Sequence, residues 1–255
     1  MKDIYLHLGF PKTGSSLLQE KIFVNIKSIR TWETFYNHKD KEMRKLIDYI
    51  REPKNPFNAE QMKKDFYSLL DKDKPNLITC ELFALDMLQK EITKYETASR
   101  LKQVFPDAKV IICLREKQSI LRSLYGHHVR SGSTLTYEKF IEEFDMEELN
   151  YDKYIKHLNS LFKTVVVVNF ETLRKNHREF VKSFCDFLNA DVPEYTNEQV
   201  NKHLTPKQVK IQRFTNHLFK THLNPKGIIP IIPFVSKFPI HLWIINNRIM
   251  DRLLK

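Results

Sequence analysis

The sequence predicts an α/β fold, a parallel sheet covered by helices on both faces, from three observations. An alternating run at 4–8 and buried, mostly apolar runs at 75–80, 109–114 and 164–168 are interleaved with segments whose apolar residues recur at helical spacing. The last three runs lack the regular polar positions of a sheet with one wet face. After the first run, a glycine loop, Gly9-Phe-Pro-Lys-Thr-Gly14, leads straight into a helical pattern, the arrangement that puts anion-binding backbone at the carboxyl edge of such a sheet.

The elements follow in order. The first strand covers 4–8 and the first helix 15–24, with a short second strand at 28–35. Two helical patterns, 40–51 and 59–70, are separated by Pro53 and Pro56, which break a helix by removing a donor. A buried strand at 75–80 ends in Glu81, and a helix over 92–105 is stopped by Pro106. The strand at 109–114 ends at Arg115, and helices follow at 117–130, near 137–144 and at 152–162. The last strand, 164–168, leads through Glu171 into one helix ending at Leu188. We expect a single domain over 1–255, with 1–190 the α/β core and 191–255 a helical, proline-interrupted apolar extension.

The residues at 227–245 are apolar enough to suggest a membrane span, but Pro230, Pro233, Pro239 and Lys237 would interrupt the backbone bonding that lipid demands. Packing on protein is the expected role. Peripheral membrane contact through 227–255, helped by Arg248, Arg252 and Lys255, is the other.

A net charge of +11 favours an anionic ligand: a nucleotide, a nucleic acid, an acidic glycan or a membrane surface. No zinc finger, helix-turn-helix or aromatic ribonucleoprotein signature is present, so no nucleic-acid partner is expected. Cys80, Cys113 and Cys185 sit in apolar runs without metal-ligand spacing, which reads as buried thiols in a reducing compartment and no metal site. With the first strand starting by Asp3, which leaves no room for a signal peptide, the expected location is cytoplasmic.

In the loop, two glycines let the backbone turn tightly, and the first N–H groups of the helix point their positive dipole end at a phosphate or sulfate. Gly9 and Gly14 have the spacing of an ATP-binding P-loop, yet Ser15 stands where that motif has lysine. Lys12 reaches the anion from within the loop instead, with Thr13, Gly14, Ser15 and Ser16 as further donors. The expectation is a P-loop-like, nucleotide-binding three-layer sandwich that does not use ATP in the ordinary way. A second signal begins at Arg115, where Ser119, Arg122 and Ser123 share one face of the following helix.

Pro11-Lys-Thr-Gly-Ser-Ser16, with Arg115, Ser123 and Tyr125 in an R-x7-S-x-Y segment, resembles the sulfotransferase family, closer to its carbohydrate-modifying and bacterial branch than to its cytosolic small-molecule branch. Val168-Asn-Phe-Glu-Thr-Leu173 is similar to a third landmark of that family. The resemblance implies 3′-phosphoadenosine 5′-phosphosulfate (PAPS) as donor, its 5′-phosphosulfate on Lys12–Ser16 and its 3′-phosphate on Arg115 and Ser123, with no metal. Beyond 190 the glycine- and tryptophan-containing adenine segment of the small-molecule branch is missing.

Sulfuryl transfer needs a base within hydrogen-bond reach of the acceptor hydroxyl. Glu33 is the first candidate, since carbohydrate-modifying members carry a catalytic glutamate at a similar distance before aromatic residues. Glu81 is second, and His127 and His128 third. The implied acceptor is a carbohydrate, glycolipid or polysaccharide precursor. Two other classes stay open: a nucleotide or metabolite kinase using ATP and Mg²⁺ with Glu81 beside the metal, and a non-enzymatic binder of anionic surfaces.

Overall fold

The computed structural model describes residues 2–33, 41–53, 57–85, 92–196, 204–221 and 223–230. Five strands, β1 (Ile4–His7), β2 (Arg30–Glu33), β3 (Asn76–Thr79), β4 (Lys109–Leu114) and β5 (Val165–Asn169), form one parallel sheet in the order β2-β3-β1-β4-β5. All carboxyl ends therefore meet at one edge, with the β1 loop in the middle. Because the chain crosses from β3 on one side of β1 to β4 on the other, the loop sits at the point where strand order reverses, where such sheets hold ligands.

The register explains why the strands read as mostly apolar runs. Tyr5, Leu77, Ile111, Cys113 and Val168 share one face and pack into a core with Leu17, Leu18, Ile22, Phe23, Phe180, Val181 and Phe184. Their alternates, Leu6, Ile78, Val110 and Ile112, are fully buried on the other. Each such side chain contributes roughly 1.5–3 kcal/mol by leaving water.

The helices flanking this sheet in the first unit are α2 (Lys41–Arg51), α3 (Ala59–Leu69), α4 (Lys94–Val104), α7 (Tyr151–Leu161), α8 (Glu171–Lys175) and α9 (His177–Phe187). Side-chain oxygens of Asn58, Thr93, Asn150 and Asn176 accept the early N–H groups of α3, α4, α7 and α9. Asn176 also corrects the single helix expected after β5, because by capping α9 it ends α8 and starts a new helix.

The first helix departs further from expectation. Only Ser15–Leu17, α1, is α-helical; Leu18–Ile22 is a wider π turn and Phe23–Asn25 a 3₁₀ turn. Leu17, Leu18 and Gln19 are all buried. Three consecutive inward side chains do not fit one stripe of a regular α-helix, and a wide turn accommodates them.

Internal packing divides the chain into Met1–Glu116 with Met146–Val200, and Lys117–Asp145 with Asn201–Lys255. The second unit contains α5 (Lys117–Arg130), α6 (Tyr137–Glu143), α10 (Pro206–Asn216) and a small parallel pair, β6 (Phe219–Lys220) and β7 (Ile229–Pro230). Within it Asn216 Nδ2 donates to the Val129 and Ser133 carbonyls at 2.7 and 2.8 Å. Gly132, at φ 105°, lies where a Cβ would meet Thr221 at 2.5 Å, so no other residue fits. Residues 231–255, which hold most of the proline-interrupted apolar stretch, lie outside the described residues; among those described, no helix is long and apolar enough to cross a membrane.

One core residue carries a pH signature. Complete burial lowers the His7 imidazole from 6.5 to about 4. Its contribution to stability is fully present above pH 6.5 and is lost as pH falls through about 4, a loss of about 3 kcal/mol at most. Urea unfolding at about pH 7 and pH 4 should show wild type losing more stability between the two than His7→Gln does.

Candidate active site

The loop after β1 is held in an unusual conformation. Lys12 has φ 67° and Gly14 φ 89°, two left-handed positions in three residues. Gly14 takes this form without strain, whereas for Lys12 it costs on the order of 1 kcal/mol. Arg115, at the end of β4, offsets the cost by donating from Nη1 to the Lys12 carbonyl at 2.7 Å. Thr13 Oγ1 donates to the Phe10 carbonyl, and the Cys113 thiol reaches the Thr13 carbonyl at 3.4 Å.

Arg115 is thus at the rim, as expected, but it is buried and turned inward. Its guanidinium lies over the Phe170 ring at 4.5 Å, and its own carbonyl accepts from Tyr151 Oη at 2.9 Å. Burial, and then the nearby Arg174, draw its pKa down, with Glu171 acting the other way. Glu171 also accepts from the Glu116 N–H at 3.1 Å, so the carboxyl ends of β4 and β5 are tied together.

On the other side of the loop stands Glu81, which opens a 3₁₀ turn directly after β3. Burial pushes its carboxyl above the ordinary glutamate value, while the Lys12 ammonium and then the Ser15 hydroxyl pull it back down. Glu81, Lys12 and Ser15 form one electrostatic group, a carboxylate and a cation over the start of a helix. This arrangement can hold an anion against backbone N–H groups while a neighbouring carboxylate takes a proton.

The remaining predicted residues are less gathered. Glu33 ends β2 opposite Thr79 in register, with β3 between it and the loop strand; its side chain lies outside the described residues. Ser16 follows Ser15 in the first helical turn. Ser123 is on α5 in the second unit, and its hydroxyl is buried with no partner among the described residues. Tyr125 donates to the Leu135 carbonyl at 3.1 Å and packs on Tyr137 and Phe140. His127 and His128 fall in the last turn of α5, the latter against Phe140.

Beneath the loop is a polar group that the motifs did not indicate. His7 Nδ1 and Thr79 Oγ1 are 2.8 Å apart, and Gln19 Nε2 donates to the same oxygen at 2.9 Å. All three are buried. The signal for them was polarity out of place: a histidine and a threonine in apolar strands, and a glutamine on the buried side of an apolar helix.

The profile of the sulfotransferase domain matches residues 2–229. Sulfotransferase 1A1 of the dog, Canis lupus familiaris, is 22% identical over 233 residues, covering 88% of this chain and 70% of that protein. The rat protein of the same name, from Rattus norvegicus, is 24% identical over 120 residues, covering 43% of this chain and 40% of its own length. Among solved structures, the crystal structure of a sulfotransferase from Alicyclobacillus acidocaldarius superposes with a TM-score of 0.52 at 19% identity, covering 84% of this chain and 91% of that one. At that identity the likeness speaks for the fold.

If Arg115 braces the loop, Arg115→Met should leave the Lys12 carbonyl without its buried donor. Stability should fall by about 1–3 kcal/mol in urea titration, and amide exchange at Thr13 and Gly14 should quicken. Unchanged exchange there would remove the brace.

Proposed function

Because the chain belongs to the sulfotransferase domain family, we propose that it transfers a sulfuryl group from PAPS to a hydroxyl, or amine, of a carbohydrate, glycolipid or polysaccharide precursor. The observation that carries this reading is the convergence of Lys12, Ser15 and Glu81 at the carboxyl end of the sheet's middle strand. The left-handed backbone at Lys12 and Gly14, and the lysine inside the loop, fit a phosphosulfate better than an ATP triphosphate with its metal. A net charge of +11 favours an anionic glycan as acceptor.

In this mechanism Thr13, Gly14, Ser15 and Ser16 hold the 5′-phosphosulfate through backbone and hydroxyl donors, and Ser123 keeps the 3′-phosphate role that the resemblance implies. Arg115 acts on the donor by fixing the loop. The acceptor oxygen forms a bond to sulfur as the bond from sulfur to the phosphate oxygen breaks. Negative charge growing on the leaving oxygen is neutralised by Lys12, and the acceptor's proton passes to a carboxylate. We assign that carboxylate to Glu81 ahead of Glu33, on its closeness to Lys12 and Ser15. Burial raises its proton affinity toward the working pH, which suits a general base. Three buried free thiols support a reducing, cytoplasmic setting, with 227–255 as the segment for any membrane contact.

Calorimetric titration without metal separates this reading from a kinase. The protein should bind 3′-phosphoadenosine 5′-phosphate (PAP) and discriminate against ADP, which lacks the 3′-phosphate. Equal binding of both, or binding of ATP only with Mg²⁺, would overturn it. Lys12→Ala should abolish transfer, and Glu81→Gln should lower kcat by at least about 100-fold with PAP affinity nearly unchanged. If Glu81→Gln stays active and Glu33→Gln does not, the base is Glu33.

The pH profile gives a further check. Transfer requires ionised Glu81, so rate rises with pH as its proton leaves. Ser15→Ala removes an interaction that lowers the Glu81 pKa, and the acidic limb of kcat should move to higher pH.

A further inference from the structure

His7 is fully buried in β1, at the register row that pairs it with Thr79 and Ile111, and its ring packs edge-on against Phe23 and Phe184. Its proton can be located by accounting. Thr79 Oγ1 already accepts from Gln19 Nε2. With the Gln19 amide nitrogen as the donor, a proton on His7 Nδ1 would leave the threonine's own proton without an acceptor on either neighbour, at a cost of about 1–3 kcal/mol. Thr79 therefore donates to Nδ1, and the neutral ring carries its proton on Nε2.

That Nε2–H has no hydrogen-bond partner among the described residues. It is aimed at the loop: a Cβ on Gly9 would lie 3.0 Å from His7 Nε2 and 3.3 Å from Ser15 Oγ. Gly9 is thus the residue that lets the two side chains face each other over bare backbone. Ser15 Oγ, itself buried, draws the Glu81 pKa down but closes no hydrogen bond in this structure. Two orphaned polar atoms, one a fixed donor and one a rotatable hydroxyl, flank the same point.

We infer that His7 is a positioning residue for the transfer reaction: its Nε2–H, which faces the Ser15 oxygen across Gly9 and makes no bond in this structure, closes on that oxygen when the hydroxyl shifts, and so directs the Ser15 proton outward, toward Glu81 and the bound anion. The polar line then runs from Gln19 through Thr79 and His7 to Ser15, each group donating to the next. It ties the buried sheet to the donor-binding loop, and Gly9 is required for closeness as much as for the turn. This inference rests on the sulfotransferase reading for its consequence, though not for the His7 to Ser15 link itself.

Two measurements test it. Nitrogen-15 NMR of the imidazoles in the full chain, without nucleotide, should show His7 as the neutral Nε2–H tautomer at about pH 7, with its Nε2 signal shifted in Ser15→Ala. An Nδ1–H tautomer, or a signal blind to Ser15, would overturn the link. In PAP titrations, His7→Phe and Ser15→Ala should each weaken binding by about tenfold, with the double variant losing no more than either. His7→Gln, whose amide offers an acceptor to Thr79 and a donor to Ser15, should bind within about twofold of wild type. Additive losses, or His7→Gln as poor as His7→Phe, would leave His7 a packing residue only. Failure of wild type to bind PAP would defeat the sulfotransferase reading instead, and the NMR measurement would then decide the His7 link alone.

Discussion

A hydrogen bond from Arg115 to the carbonyl of Lys12 joins the two halves of the sheet edge at the loop, and the rest of the site is placed by it. Two left-handed residues in a stretch of three would not hold this shape by local preference, since one of them is lysine. The bond is strong because the guanidinium is charged, oriented by the Phe170 ring and shielded from water. Buried and basic, Arg115 also faces Glu171, which in turn holds the N–H of Glu116. Loop, β4 and β5 are thereby fixed as one object.

On the opposite side the site rests on opposed electrostatic influences. Glu81 is pushed toward neutrality by burial and toward ionisation by Lys12 and Ser15. Neither influence acts from within β3 itself; both come from the loop. On the proposed reading, a carboxylate whose proton affinity is set by Lys12 and Ser15 couples donor binding to base strength. Such coupling suits a transfer in which the proton leaves the acceptor only when sulfur is in line.

The layers of polar and apolar residues under the loop follow from the same economy. A buried histidine is costly, and here the cost is limited by keeping it neutral and bonded to Thr79. The π turn at Leu18–Ile22 serves that arrangement by turning Gln19 inward beside two leucines. Thr79 thereby gains a second buried partner beside His7.

The alternation of apolar runs with helical patterns determined the parallel sheet, and the glycine spacing determined the loop, because both are local: burial on two faces and positive φ leave marks on adjacent residues. Lys12 and Arg115 stand out in the same way, through their place beside strand ends, whereas Ser123 is marked only by its spacing from Arg115 within the following helix. Only tertiary structure brings Glu81 near Lys12 and Ser15. Glu33 and Glu81 both follow strands and look alike in sequence, but strand order puts β3 beside the loop strand and β2 beyond it. It also decided that Arg115 turns inward, and that His7, Thr79 and Gln19 meet. Those contacts span 60 to 103 residues of chain, a separation over which no spacing pattern can report, since only the packed sheet brings their side chains within hydrogen-bond distance.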